Sequence, residues 1–144
     1  MKVLKSVKLL IVHCVANRCD KPFSVEKLIA CGKAKYGQCS YHYYVRYDGT
    51  VVPLLPESVQ GVHARGYNHC SLGIVYEGGL DENGKAADTR TEKQKHALYE
   101  LLKALARDYP EARILGHCEL PDVHKLRPCY TASKEYADLQ PQAR

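Results

Sequence analysis

The run Lys8-Leu9-Leu10-Ile11-Val12-His13-Cys14-Val15 is almost continuously apolar and gives way to a polar segment, Asn17 to Lys21. This pattern reads as a strand buried on both faces whose C-terminal end opens into a loop. His13 therefore stands near a strand end, where functional groups often lie. Two helices follow from local signals. Ser24 caps a segment with Val25, Leu28 and Ile29 on one face and Glu26 in its first turn, with Gly32 and Gly37 ending it. Thr91 and Gln94 form a capping box, after which Ala97, Leu98, Leu101, Leu102 and Leu105 make one apolar stripe that Pro110 stops.

Three more strands are expected. Tyr41 to Val45, Asp48-Gly49-Thr50 and Val51-Val52 give a hairpin, because Asp-Gly readily takes positive φ. Alternation puts Tyr41, Tyr43 and Val45 on one face and His42 and Tyr44 on the other. Ser71 to Tyr76 is a strand after the glycine-bounded loop Gly61 to His69. Ala112 to Leu115 is a last short strand, and Ser133 to Gln140 a terminal helix. Strands alternate with helices around one sheet, which defines α/β. At 144 residues, 45% hydrophobic and 26% charged, the chain fits one soluble domain, residues 1–144, able to bury a core without disulfide staples.

Charge and cysteine usage narrow the classes. The net charge of +5 comes without any run of five like charges, which argues against a nucleic-acid binder. No apolar stretch approaches membrane-spanning length. The basic N-terminus lacks a clean cleavage site, so the chain is expected to be cytoplasmic as given, or exported without a recognisable signal peptide. Seven cysteines, an odd number, match no zinc-finger spacing and read as reduced thiols. Trp is absent while Tyr occurs 11 times, which suits a half-wet groove for a polar ligand.

The chemistry concentrates in Gly116-His117-Cys118-Glu119-Leu120-Pro121-Asp122-Val123-His124-Lys125-Leu126-Arg127-Pro128-Cys129. His13 and His117 each end an apolar strand, where a sheet can converge two imidazoles on a divalent zinc. A third donor is then needed within about 2.3 Å of the metal, and Cys129 and Asp122 are eligible. Cys14 and Cys118 follow the histidines directly and should point to the core. Lys125 and Tyr41 are placed to steady a developing oxyanion. His63 and His69 either contact substrate or pack.

These residues resemble the zinc-dependent N-acetylmuramoyl-L-alanine amidases of the type 2 class, a family that includes amidase-type phage lysozymes and peptidoglycan recognition proteins. The resemblance rests on Ile11-Val12-His13-Cys14, Ser40-Tyr41-His42-Tyr43 with Asp48-Gly49-Thr50, His63-Ala64-Arg65-Gly66-Tyr67-Asn68, Ser71-Leu72-Gly73-Ile74, Glu77-Gly78-Gly79-Leu80-Asp81, Thr91 to Leu102, Gly116-His117, and His124-Lys125 with Pro128. It covers about residues 8–136, in family order. It implies a central mixed β-sheet flanked by helices, one zinc, and hydrolysis of the amide between the lactyl group of N-acetylmuramic acid and L-alanine. Residue by residue, it implies His13 and His117 as zinc ligands, Tyr41 and Lys125 as catalytic, and His63 and Asn68 along the peptide groove. Peptidoglycan or muropeptide is the expected partner of a monomer, with neither nucleic acid nor membrane involved.

The chain departs from this pattern at the metal. Where the family places a cysteine ligand after lysine and one further residue, the sequence reads Lys125-Leu126-Arg127-Pro128. Arginine stays protonated and cannot coordinate zinc. Three expectations follow: Cys129 supplies the third ligand to an active amidase, or the chain is a muropeptide-binding or regulatory relative without a full zinc site, or it serves a protein-interaction role. Ala30 and Cys31 also replace a Trp-His pair usual in relatives, and Val15 and Asn17 replace small hydroxyl residues after the first zinc histidine.

Overall fold

The computed structural model describes residues 1–143. Its centre is a five-stranded mixed sheet of β1 (Leu9–Cys14), β3 (Tyr43–Val45), β4 (Val51–Pro53), β5 (Ser71–Tyr76) and β7 (Arg113–Gly116), in the order β4-β3-β5-β1-β7. β1 runs parallel to both β5 and β7, and β3 runs parallel to β5; only the β3–β4 hairpin is antiparallel. A two-stranded ribbon, β2 (Asn17–Arg18) with β6 (Gly79–Leu80), lies beyond the ends of β1 and β5. β1 has neighbours on both sides and is covered on both faces, as its unbroken apolar run requires.

The pleat divides the interior in two. Leu10, Val12 and Cys14 of β1, with Leu72, Ile74 and Tyr76 of β5, pack with Leu98, Leu102 and Leu105 of helix α2 (Glu92–Asp108). Ile11 and His13 face the other way, toward the loop carrying Ala64 and the helix α1 (Val25–Tyr36). Leu102 is fully buried in the α2 layer. Leu102→Ala should therefore lower stability by about 2–5 kcal/mol through lost transfer energy and the cavity left behind, read as a fall in the urea midpoint.

Local signals explain most element ends. Thr91 and Gln94 form the reciprocal capping box at the start of α2. Gln94 is itself fully buried, its amide donating to Glu77 O at 2.8 Å and Val45 O at 3.3 Å. α1 starts at a Ser24 cap and ends at Gly37, whose φ of 75° lets its N–H reach Lys33 O. Gly32 does not end it, contrary to the sequence expectation. It lies inside the helix because the returning chain passes over it: an added Cβ would stand 2.8 Å from Gln38 O.

Two further expectations are corrected. Tyr43 and Val45 do lie toward α2, but Tyr41 packs with Tyr44 on the α1 side. Tyr41 precedes the first residue of β3, so strand alternation does not reach it. Cys14 is a core thiol, whereas Cys118 is only half-buried, because β7 ends at Gly116 and a 3-10 turn, His117–Glu119, begins. All seven cysteines are free thiols. The terminal helix is short, α3 (Ala132–Glu135), followed by a 3-10 turn at Ala137–Leu139. Beyond it the Gln140 amide bonds both ways to the Ile114 backbone on β7, donating to its carbonyl at 2.7 Å and accepting from its N–H at 2.8 Å. No helix among the described residues is long and apolar enough to cross a membrane.

Candidate active site

The register of β1 and β7 brings the two strand-end histidines together. Val12 is level with Gly116 across the parallel β1–β7 pair, so the next residues, His13 and His117, stand side by side beyond the C-terminal edge. Their ring centroids are 4.6 Å apart. This is the edge at which open α/β sheets bind ligands. The Tyr41 ring approaches His13 edge-on at 5.2 Å, and His63 approaches it from the loop before β5.

These four side chains share a cleft of about 240 Å³ with Lys125 and Arg127. α1 forms one wall through Leu28, Cys31, Lys35 and Tyr36. Among the described residues three cations, Lys35, Lys125 and Arg127, line the cleft and no carboxylate does. The structure thus brings together His13, Tyr41, His63, His117 and Lys125.

Cys129 is not brought to the imidazoles. Its Sγ lies 3.5 Å from Gly79 O, and it interacts with the Cys14 thiol, on the face of β1 opposite to His13. Asp122 is exposed and does not line the cleft. Asn68 is also outside it: its side-chain oxygen accepts from the backbone N–H groups of His63 and Ala64, at 3.0 and 2.9 Å, and so shapes the loop.

Electrostatics keeps the histidines neutral. Burial is the largest cause for His13, whose pKa lies well below the usual value; the rings of His63 and His117 and the charges of Arg127 and Lys125 push the same way. His117 is lowered by burial, then by Lys125 and Arg127. His63 is pushed down to about 3, mainly by burial, and burial also lowers His42. Burial raises the Tyr41 phenol to about 12, so its hydroxyl stays a donor at neutral pH.

A stability prediction follows from His42 and His63. An unfolded histidine titrates near 6.5, above the folded values of both. The unfolded chain therefore takes up protons first as pH falls, so the stability these rings contribute is complete above about pH 6.5 and is lost as the pH drops toward 3. The urea midpoint should be lower at pH 5 than at pH 7.5.

A catalytic zinc takes three protein donors and keeps one open position. His13 and His117 fit two of them: both rings are neutral and adjacent, and His117 Nδ1 is buried without a hydrogen-bond partner. No group of three His, Cys, Asp or Glu side chains able to hold a metal ion occurs among the described residues. Among the described residues the set offers two imidazoles and not a complete three-ligand centre, and the Arg127 cation lines the same cleft.

The chain belongs to the N-acetylmuramoyl-L-alanine amidase family, whose profile matches residues 4–130. The endolysin of Escherichia phage T7 is 32% identical over 120 residues, covering 83% of this chain and 80% of that protein. Among solved structures, the N-acetylmuramoyl-L-alanine amidase LysC of Clostridium intestinale URNW superposes with a TM-score of 0.77 at 22% identity, covering 96% of this chain and 88% of its own. The ectodomain complex of peptidoglycan recognition proteins LCa and LCx, solved with tracheal cytotoxin bound, gives 0.73 at 21% identity over 93% of this chain and 83% of that one. The mixed sheet implied by the family resemblance is the one observed.

Sequence reasoning missed the direct contact of His63 with His13. The signal was Gly73: a glycine inside a strand marks a close approach. A Cβ there would lie 2.7 to 2.9 Å from the ring of His63.

Proposed function

We propose that this chain binds the peptide stem of peptidoglycan in the cleft and hydrolyses the amide between the lactyl group of N-acetylmuramic acid and L-alanine. The observation that carries this reading is the meeting of His13, Tyr41, His117 and Lys125 in one cleft of an amidase-family chain. A cationic lining without carboxylates suits a peptide stem that carries carboxylates. The reading needs only one copy of the chain, since every group in it comes from the same cleft. Access to the substrate needs either export of the protein or wall fragments taken into the cytoplasm.

The residues divide the work. The protonated Tyr41 hydroxyl donates to the scissile carbonyl oxygen as negative charge develops there, and the Lys125 ammonium adds to the same stabilisation. His13 and His117 would be the protein donors to zinc, and neutral imidazole is the form that coordination requires. Bound zinc would supply Lewis acidity and a water of lowered pKa. Losing one donor to a developing oxyanion typically costs about 10²–10³ in kcat. Tyr41→Phe should show a loss of that order with KM little changed.

Arg127 favours a second reading. A fixed positive charge beside two imidazoles opposes a dication, and the same cleft would then hold the stem without cutting it. The deciding experiment incubates the purified chain with a defined muropeptide and zinc, measuring free stem peptide by mass spectrometry and binding by calorimetry. Release that a chelator abolishes supports the amidase. Binding without release leaves the recognition module standing.

A further inference from the structure

Three hydrogen bonds run in line from the loop before β5 to the ring of His13. The Ser71 hydroxyl donates to Tyr67 O at 2.7 Å. Ser71 Oγ also lies 3.3 Å from His63 Nε2, and His63 Nδ1 lies 2.9 Å from His13 Nε2. A backbone carbonyl only accepts, so the single hydroxyl hydrogen of Ser71 is committed to Tyr67. Ser71 has only lone pairs left for His63, and His63 Nε2 must therefore carry the hydrogen. A neutral imidazole has one N–H, which makes His63 Nδ1 the acceptor and His13 Nε2 the donor. The proton on His13 is thus placed by a carbonyl three bonds away, and its lone pair is left on Nδ1.

We infer that His63, backed by Ser71 and the Tyr67 carbonyl, is a positioning residue that locks His13 in the Nε2–H tautomer and presents Nδ1 as its donor atom. What Nδ1 serves rests on the reading under Proposed function; the tautomer itself does not.

The surroundings hold the relay in one arrangement. Ser71 is fully buried and His63 is 9% exposed, so water competes little for either. Gly73 leaves room for the His63 ring to lie against the sheet, and Asn68 pins the backbone N–H of His63. His42, the next ring, is polarised independently: Gly73 N–H donates to its Nδ1 at 3.0 Å, and its Nε2–H donates to Val59 O at 2.7 Å. It offers no hydrogen that would reverse the relay. Histidines that bind metals generally donate their second N–H to an outer partner, whose loss costs about 10–100-fold in affinity.

The test is histidine ring ¹⁵N NMR on the metal-free chain at pH 7.5, with two variants of similar bulk. His63→Gln can keep an acceptor for His13, whereas His63→Phe fills the space without one. The parent and the Gln variant should show His13 only as the Nε2–H form, and the Phe variant a mixture of tautomers. Zinc titration of the same samples should show the Phe variant about 10–100-fold weaker than the other two. A parent His13 protonated on Nδ1, or a Phe variant that retains the single Nε2–H form, overturns the inference. If the Phe variant does not fold, the parent's His63 ring decides: it should carry its hydrogen on Nε2, and a His63 protonated on Nδ1 overturns the inference equally. Should the tautomers change as expected while no sample binds zinc, the positioning role stands and the zinc reading fails.

Discussion

Arg127→Cys is expected to raise zinc affinity by more than about a hundred-fold, since outer partners of a ligand alone account for about 10–100-fold, and to raise muropeptide hydrolysis with it. The substitution removes a cation from beside two imidazoles and places a thiol where a third donor is missing. The backbone at this position does not depend on the guanidinium. Arg127 O accepts from Cys118 N–H at 2.7 Å, and Pro128 packs so closely on Gly116 that an added Cβ there would stand 2.6 Å from its Cδ. The new side chain would leave from a fixed point beside His13 and His117. Competition with a chromophoric chelator measures the affinity, and a thermal melt confirms the fold. An affinity equal to that of the parent would show that the loop, and not the arginine, prevents a third ligand from reaching the ion.

Glu77→Ala is expected to lower stability by about 3–5 kcal/mol, the cost of removing one partner of a buried charged network. Glu77 is 1% exposed at the end of β5. Its carboxylate accepts from Phe23 N–H at 2.8 Å, from Tyr47 N–H at 2.9 Å, and from Arg46 Nε and Nη2 at 3.0 and 3.1 Å. It therefore ties the entry to α1 and the hairpin turn to the sheet, and Phe23 is part of the cleft wall. Alanine leaves four donors without this acceptor. Glu77→Gln keeps one carbonyl oxygen and should lose less. Urea midpoints of the two variants measure the order, and equal midpoints would mean that water replaces the carboxylate.

The sequence carried the fold where one pattern dictated one element. The unbroken apolar run of β1, the capping box of α2 and the Asp-Gly turn each left a single solution, and the structure has all three. The site was legible wherever a side chain takes its place from strand register. His13 and His117 meet because neighbouring parallel strands end level. What could not be read depends on loops folding back. Cys129 is two positions from Arg127, yet its thiol turns to the opposite face of β1, next to Cys14. Asn68 carries a side chain suited to a ligand, but it serves its own loop. The relay through His63 and Ser71 joins a loop to a strand across a glycine, a tertiary contact without local periodicity.

The Gln140 amide has a consequence at the edge of the sheet. β7 is the last strand of the sheet, and an open margin offers unpaired backbone groups to any extended segment that passes. By giving Ile114 one donor and one acceptor, a single side chain imitates the strand that would otherwise come next. The β7 edge is thereby blocked at Ile114 by a side chain from the same chain, on the strand that also carries His117 to the cleft.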